Sequence, residues 1–371
     1  MIGRGPIVLA AGGTGGHVFP AQALAEALTA RGWRIALVTD SRGTAFGESV
    51  AGVETHRIRA ASFSGGILTK LRGLVQLGFG LIQARSLLRR LAPSAAVGFG
   101  GYPSVPTMWA ATGIRLPTLI HEQNAVLGRA NRLLAPRVDR IATSFDEIHG
   151  IQNKDRSKIV LTGNPVRGAV AAIASQPYPQ RQSASDPLTL LVFGGSQGAT
   201  ILSDVVPAAV AALNENAKQR LRIVQQCRAE DLDRVQRVYE DSGVQAELAP
   251  FFDDMPARLA AAHLVVARAG ASTIAEVTSA GRPALLVPYR HAMDDHQTAN
   301  ARAIEAVGGG WMLSEDDFTS GALKDRIEEY LATPDLLTNA AAAALRAGRT
   351  EAAGSLADAT EALAIRAEGP S

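Results

Sequence analysis

Two glycine-rich turns in this 371-residue chain have residue types that hold phosphate groups. The first turn, Gly12-Gly-Thr-Gly-Gly-His17, follows the buried-strand pattern Ile7–Ala11, and the second, Gly194-Gly-Ser-Gln-Gly198, follows Leu188–Phe193. Each turn leads into a helical pattern, and the free backbone N–H groups at a helix N-terminus bind anions. The repeated strand, turn and helix predict two similar domains that face each other across a cleft.

Neither turn has the spacing of a common nucleotide-binding motif. The dinucleotide pattern would place a glycine five residues after Gly13, where this chain has Val18. The chain also has no G-x-x-x-x-G-K-[ST] string, which excludes a P-loop ATPase or GTPase.

Strand patterns alternate with helical patterns throughout the chain, which predicts an α/β fold with doubly wound parallel sheets. Three polar clusters in the first half lie at the ends of predicted strands: Gly12–His17, Gly100–Tyr102 and His121–Asn124. Ligands of such sheets bind beyond the carboxyl ends of the strands. We therefore expect an active site at this edge of the first domain.

The chain is long enough for two domains of ordinary size. Residues 176–187 are rich in Pro, Ser and Gln and lack an apolar period, which is typical of a linker. We predict an N-terminal domain at 1–165, a C-terminal domain at 166–349, and a last helix at 350–371 that packs back on the first domain.

The cysteine content excludes two kinds of site, and the N-terminal sequence indicates a location. Cys227 is the single cysteine, which excludes an internal disulfide framework and a multi-cysteine zinc site. The N-terminus lacks a signal-peptide pattern, so we expect a location in the cytoplasm.

Charge is unevenly distributed although the net charge is only +2. No Asp or Glu occurs between Glu54 and Glu122, whereas this span carries eight Lys and Arg residues. Such a surface favours an anionic partner, and the low aromatic content of 5% favours a membrane over nucleic acid.

A helix predicted over Ile67–Leu91 lies within this basic span. Its apolar segment is shorter than the ~20 residues needed to cross a bilayer, but its basic flanks suit the surface of an anionic membrane. The predicted membrane patch is Lys70, Arg72, Leu77, Phe79 and Arg85. The alternative is an ordinary amphipathic helix whose face with Val75, Gly78 and Ile82 packs on a sheet.

Eight motifs occur in the order of one known family. They are Gly12–Pro20, Gly100–Pro103, His121–Asn124, Gly163–Arg167, Gly194–Gly198, Phe251–Met255, Arg268–Ala271 with Glu276, and Asp295–Gln297 with Asn300. From about Ile7 to Asn300, the chain resembles the bacterial N-acetylglucosaminyltransferases of glycosyltransferase family 28, which convert lipid I to lipid II in peptidoglycan synthesis.

The resemblance implies two Rossmann-like domains in the GT-B arrangement and an inverting transfer of GlcNAc from UDP-GlcNAc. The acceptor would be the C4 hydroxyl of MurNAc in undecaprenyl-pyrophosphoryl-MurNAc-pentapeptide, and the product bond would be β-1,4. It also implies peripheral attachment to the cytoplasmic face of the inner membrane. Other proteins of wall synthesis or cell division are further candidate partners, and nucleic acid is not expected.

The resemblance assigns donor contacts to residues of both halves: Thr14, Gly15, Gly16, Asn124, Arg167, Ser196, Gln197, Phe252, Ala271, Ser272, Thr273, Glu276, His296 and Gln297. Glu276 would bind the ribose hydroxyls, the backbone at Phe252 would read uracil, and Gln297 would contact the donor sugar. The family commonly has smaller side chains at Phe252, glutamine at His296 and serine at Ala269, so these three positions depart from its pattern.

Acceptor contacts are assigned to Gly13, Tyr102 and His121. The attacking hydroxyl needs a general base, and His17 is the first candidate because an ordinary histidine pKa of about 6.5 suits proton transfer near neutral pH. His17 could instead position a phosphate, and Glu122 is the rival base.

The sequence predicts no cofactor and no essential metal. Asp231-Leu-Asp233 has the spacing of a metal-binding pair, but it opens a helical stretch away from the glycine turns, and we interpret it as a solvated helix start. Three other functions stay open at this point: a related transferase with another lipid acceptor, a non-catalytic scaffold, and a UDP-sugar epimerase.

Overall fold

The chain divides into two compact units. The computed structural model describes residues 5–12, 15–40, 52–60, 67–195 and 198–368, with side chains left undescribed at 67–74 and 366–368. The first unit comprises Met1–Arg167 with Glu351–Ser371, and the second comprises Gly168–Thr350. These boundaries lie one or two residues from those that the sequence suggested.

Parallel strands form the sheet of the first unit. The described residues contribute seven strands, in the spatial order β3-β2-β1-β4-β5-β6-β7. They are β1 (Ile7–Ala10), β2 (Ile35–Thr39), β3 (Glu54–Arg57), β4 (Ala95–Gly98), β5 (Thr118–Glu122), β6 (Arg140–Thr143) and β7 (Ile159–Leu161). The helices are α1 (Gly15–Ala30), α2 (Ile67–Leu91), α3 (Gly101–Gly113) and α4 (Arg129–Leu134).

Strand β1 shows why this sheet is covered on both faces. Ile7 and Leu9 belong to a core that includes Leu24 of α1, whereas Val8 and Ala10 belong to a second core with Leu88 of α2. Successive side chains of a strand point to opposite faces, so an unbroken apolar run requires cover on both sides.

The second unit has the same construction. Its described residues form a parallel sheet in the order β10-β9-β8-β11-β12-β13. The strands are β8 (Leu188–Phe193), β9 (Leu221–Gln226), β10 (Ala246–Ala249), β11 (Leu264–Ala267), β12 (Ala284–Leu286) and β13 (Gly310–Met312). The helices are α5 (Gly168–Ala171), α6 (Thr200–Ala211), α7 (Glu215–Gln219), α8 (Leu232–Asp241), α9 (Met255–Ala261), α10 (Ala271–Ser279), α11 (His296–Ala306), α12 (Ser320–Ala332) and α13 (Pro334–Ala347).

Both sheets follow the Rossmann strand order, which confirms the predicted α/β class. In each sheet successive strands are first added on one side of the first strand and then on the other, so the order switches between β1 and β4 and between β8 and β11. Ligands of open parallel sheets bind at this switch point. Both glycine-rich turns follow the strand at the switch point, so the fold presents them where a ligand is expected.

The last helix, α14 (Ala352–Glu368), packs in the first unit. Its Leu356 and Ala364 lie in the core with Leu24 of α1. The carboxylate of Glu361 also accepts hydrogen bonds of 2.6 Å from Arg31 Nη1 and from Trp33 Nε1. These contacts tie the end of the chain to its beginning.

Helix α2 has the predicted bounds, and the alternative in which its face with Val75, Gly78 and Ile82 packs on the sheet was wrong. Val75 and Ile82 are 59% and 67% exposed, whereas Ala84 is buried. A Cβ atom added to the buried Gly80 would lie 2.1 Å from the carbonyl oxygen of Arg59. The inward face of the helix therefore carries small residues at Gly80 and Ala84, near Arg59, and larger ones at Leu87 and Leu88.

Candidate active site

The first glycine-rich turn places His17 beside the turn that follows β4. His17 is half-buried near the start of α1, while Gly13 and Thr14 lie outside the described residues. Gly100 and Gly101 have φ values of +82° and +70°, and a Cβ atom on Gly101 would lie 3.3 Å from Cδ2 of His17. Glycine at these positions lets the β4–α3 turn pass close to the imidazole.

The imidazole of His17 reaches the residue that follows β5. His17 Nδ1 lies 3.1 Å from Oε1 of Gln123, whose side chain is buried. Gln123 Nε2 in turn lies 3.0 Å from Nδ1 of His121, and His121 Nε2 lies 2.9 Å from the carbonyl oxygen of Gly163. A continuous chain of hydrogen bonds thus joins α1, β5 and the segment after β7.

His121 is fully buried against the ring of Phe99, with ring centroids 5.7 Å apart. Burial lowers the pKa of His121 to about 4, with a further lowering from the charge of nearby His17 and an opposing effect from the hydrogen bond to Gly163. His121 is therefore neutral near neutral pH. The side chain of His121 is buried, and both of its ring nitrogens already have hydrogen-bond partners. These observations disfavour the predicted contact between His121 and the acceptor.

Glu122 is buried and surrounded by hydrogen-bond donors. Its Oε1 accepts from the backbone N–H and the side-chain amide of Asn124, at 3.1 Å and 3.3 Å. Its Oε2 accepts from Gly128 N at 2.9 Å and from Asn131 Nδ2 at 2.8 Å. This carboxylate holds the β5–α4 loop together and has four donors directed at its two oxygens.

Other predicted residues of the first unit lie at the same edge of the sheet. Tyr102, Asn124 and Arg167 are half-buried. The guanidinium of Arg167 lies 5.7 Å from the centroid of the exposed Phe19 ring. Asn164 is buried, and neither atom of its side-chain amide has a hydrogen-bond partner in the described structure.

The second glycine-rich turn is tightly constrained on its described residues. A Cβ atom on Gly194 would lie 2.4 Å from the backbone nitrogen of Ala199, and Gly195 and Gly198 have φ values of +80° and +67°. Ser196 and Gln197 lie outside the described residues. Helix α6 begins at Thr200, so its N-terminal N–H groups lie where the sequence predicted an anion-binding element.

Helix α10 supplies a second N-terminus at this switch point. Gly270 is its N-cap in an extended conformation, and the helix begins with Ala271. Ser272 and Glu276 are four residues apart and thus share one face, while Thr273 is buried. The hydroxyl of Ser272 is buried and has no hydrogen-bond partner among the described residues.

Strained residues position the start of α11 after β12. Asp294 and Asp295 have φ values of +53° and +52°. His296 Nδ1 donates to the carbonyl oxygen of Met293 at 2.8 Å, which leaves Nε2 as an acceptor when the ring is neutral. Gln297 Oε1 accepts from Tyr289 N at 2.9 Å, so its Nε2 hydrogens can serve a ligand.

Phe252 follows β10 and is buried. The guanidinium of Arg258 lies 3.9 Å above the centroid of its ring, while the neighbouring Phe251 side chain is 65% exposed. The large side chain of Phe252 is thus buried beneath the guanidinium of Arg258.

The Asp231-Leu-Asp233 string opens α8 as predicted, and Asp233 is exposed, but the prediction that Asp231 is solvated was wrong. Asp231 is buried at the N-cap of α8, and its Oδ1 lies 2.9 Å from Arg234 Nη2. In the described part of the chain, no three His, Cys, Asp or Glu residues are grouped so as to hold a metal ion.

Sequence reasoning overlooked Gln123, Asn131 and Asn164. Gln123 and Asn164 lie inside motifs that were noticed, yet neither has an ionisable group, and Asn131 lies within a helix without a motif. The position of Gln123 directly after the buried strand β5 was an available signal, because a buried amide needs partners.

Comparison with known proteins is consistent with this geometry. A family model described as the glycosyltransferase family 28 N-terminal domain matches residues 7–143, and one described as its C-terminal domain matches residues 189–356.

Two curated relatives carry the name UDP-N-acetylglucosamine–N-acetylmuramyl-(pentapeptide) pyrophosphoryl-undecaprenol N-acetylglucosamine transferase. The protein from Rhodospirillum centenum is 57% identical, over 95% of this chain and 93% of its own length. The protein from Paramagnetospirillum magneticum is 56% identical, over 95% of each chain. The crystal structure of Acinetobacter baumannii MurG superposes with a TM-score of 0.79 at 29% identity, covering 96% of this chain and 99% of that one.

Proposed function

Since the chain belongs to glycosyltransferase family 28, we propose that it transfers GlcNAc from UDP-GlcNAc to the C4 hydroxyl of MurNAc in lipid I. The observation that carries the proposal is an imidazole, His17, next to a helix N-terminus at the switch point of a parallel sheet. A second sheet of the same order presents two further helix N-termini, as a diphosphate leaving group requires.

The donor binds to the second unit in this proposal. The N-termini of α6 and α10 stabilise the negative charge that develops on UDP, and the carboxylate of Glu276 accepts hydrogen bonds from the ribose hydroxyls. Gln297 offers its Nε2 hydrogens to the sugar, since its Oε1 is bound to the backbone of Tyr289. His296 offers Nε2 to a sugar hydroxyl, where the family commonly has a glutamine.

His17 is the general base in this proposal. Glu122 is a weaker candidate because its two oxygens already accept four hydrogen bonds from the loop that it organises. A base must have an unshared electron pair within reach of the hydroxyl. The deprotonated hydroxyl attacks the anomeric carbon, the bond to the UDP oxygen breaks, and UDP leaves with the bonding electrons.

The test is transfer of labelled GlcNAc to a short-chain lipid I analogue in the presence of EDTA. We expect transfer by the wild-type protein and its loss in His17→Ala, while UDP still binds. Transfer that survives in His17→Ala would remove His17 from the chemical step. Absence of wild-type transfer despite UDP-GlcNAc binding would contradict the proposed acceptor.

We also propose that the first unit binds the cytoplasmic face of an anionic membrane peripherally through α2. Phe79 and Ile82 are 52% and 67% exposed, and the sequence span without Asp or Glu to which they belong also carries exposed Arg59, Arg85 and Arg89. Exposed apolar side chains with arginines nearby suit the boundary between head groups and acyl chains. Leu77 is half-buried, and the side chains of Lys70 and Arg72 lie outside the described part. No helix in the described part of the chain is long and apolar enough to cross a bilayer.

Vesicle flotation tests this surface. We expect the double variant Phe79→Ser, Ile82→Ser to bind anionic vesicles less than the wild type, with transfer to a water-soluble acceptor retained. Leu133→Ser is the matched control, because Leu133 is 45% exposed on a different helix of the same unit. Equal binding of all three proteins would contradict this membrane surface.

A further inference from the structure

We propose that Gln123 is a positioning residue that fixes the tautomer of His17, so that the unprotonated ring nitrogen of His17 is Nε2. This inference rests on the proposed function, because the tautomer matters only if His17 accepts a proton from the acceptor hydroxyl. Gln123 is buried and uncharged, and the sequence did not suggest it as a site residue.

The orientation of the Gln123 amide is determined by its neighbours. Its Nε2 lies 3.0 Å from the carbonyl oxygen of Phe99 and 3.1 Å from the carbonyl oxygen of His121, and both oxygens can only accept. A flipped amide would place Oε1 against two acceptors in a buried site, where an unmade hydrogen bond costs about 1–3 kcal/mol. The amide nitrogen therefore faces Phe99, and Oε1 faces His17.

His121 supports the same orientation from the other side. Its Nε2 must carry the hydrogen, because the partner at 2.9 Å is the carbonyl oxygen of Gly163. Since burial keeps His121 neutral, its Nδ1 then has a lone pair and accepts from Gln123 Nε2 at 3.0 Å, which shares its two hydrogens among this atom and the two carbonyl oxygens. A protonated His121 would instead direct a second N–H group at the amide N–H groups of Gln123.

The consequence falls on His17. Gln123 Oε1 can only accept, so the contact of 3.1 Å requires a hydrogen on His17 Nδ1. A neutral imidazole has one N–H group, and the lone pair is therefore on Nε2. When Nε2 takes the hydroxyl proton, the positive charge spreads over the ring while the Nδ1–H bond to Gln123 stays in place, and water later removes the added proton.

An amide in this place differs from the carboxylate of a serine-protease triad. Both hold the imidazole through Nδ1–H, but a neutral amide adds no full negative charge to stabilise the imidazolium. In that triad, a substitution that leaves the imidazole in the wrong tautomer lowers kcat about 10⁴-fold. General-base catalysis thus depends strongly on which ring nitrogen carries the hydrogen.

The experiment compares Gln123→Met, Gln123→Glu and the control Gln225→Met. Methionine removes both hydrogen-bonding atoms at similar length. Glutamate in its protonated form donates an O–H to the carbonyl oxygens beside Phe99 and His121 and keeps an acceptor directed at His17. Gln225 is a matched control because it is also buried, donates to the carbonyl oxygen of Leu202 and accepts from the hydroxyl of Tyr239, in the second unit. The readouts are nitrogen-15 NMR of the His17 ring, assigned with His17→Ala, and kcat and KM for transfer.

We expect wild-type protein and Gln225→Met to show the hydrogen on His17 Nδ1. In Gln123→Met that signature should be lost and kcat should fall roughly 10- to 100-fold with unchanged KM, a part of the ~10²–10⁴-fold that a general base contributes. Gln123→Glu should recover the Nδ1–H signature and much of kcat.

An unchanged His17 signature in folded Gln123→Met, or a wild-type ring with its hydrogen on Nε2, would overturn the inference. A changed signature with unchanged kcat would also overturn it. Failure of the proposed function looks different: wild-type protein would not transfer GlcNAc, or His17→Ala would stay active.

Discussion

Replacing Glu122 by glutamine separates a structural carboxylate from a catalytic one. The substitution keeps the size of the side chain but exchanges one acceptor oxygen for an NH₂ group. Either orientation of the new amide directs N–H groups at two existing donors. These are Asn124 N and Nδ2 in one orientation, and Gly128 N and Asn131 Nδ2 in the other.

The expected loss of stability follows from these contacts. Hydrogen bonds to charged groups contribute about 1.5–3 kcal/mol each, so two lost bonds predict a decrease of about 3–6 kcal/mol in the free energy of unfolding. For a unit of about 150–250 residues, 1 kcal/mol corresponds to about 2–4 °C, so the melting temperature of the first unit should fall by roughly 6–24 °C.

The assay is thermal unfolding followed by circular dichroism, with hydrogen exchange and mass spectrometry to locate the change. Faster exchange should appear in peptides that cover β5 and α4 and leave the second unit unaffected. Glu147→Gln is the control, since Glu147 is exposed and makes no side-chain hydrogen bond with any other described residue. It should melt like the wild type.

One result would refute this reasoning. If Glu122→Gln melted and exchanged like the wild type but lost transfer while still binding UDP, Glu122 would act in the chemical step. His17 would then have to be assigned to positioning a phosphate.

Three further predictions follow from the same unit. The folded pKa of His121, about 4, lies below the ordinary 6.5, so its contribution to stability is present above pH 6.5 and is lost as the pH falls to 4. Urea unfolding should show a loss of about 3 kcal/mol across that window, and a flat profile would contradict it. Gly101→Ala should lower kcat because the added Cβ atom would lie 3.3 Å from the ring of His17. The control is Gly32→Ala, which has φ +84° and no atom within 4 Å of the added Cβ, and it should lower stability while kcat stays unchanged. Glu361→Gln should lower the stability of α14 by about 1 kcal/mol, as seen by hydrogen exchange, and unaltered exchange would show that its contacts with the start of the chain contribute nothing.

Much of the fold was predictable from local patterns. Apolar runs such as Leu188–Phe193 identify buried strands, because a parallel sheet covered on both faces needs apolar residues at every position. The glycine-rich turns identify the strand ends of both switch points, because few other residues allow backbone to approach backbone as closely as Gly194 does.

The roles of individual side chains depended on contacts between distant parts of the chain. Periodicity marked α2 as a helix but could not decide which face is buried, since that choice depends on the close approach of Gly80 to Arg59. Glu122 and Gln123 stood side by side in a recognised motif, yet one organises a loop and the other reaches His17, 106 positions earlier. Sequence patterns report local preferences, whereas the donors and acceptors around a buried group are brought together only when the sheet assembles.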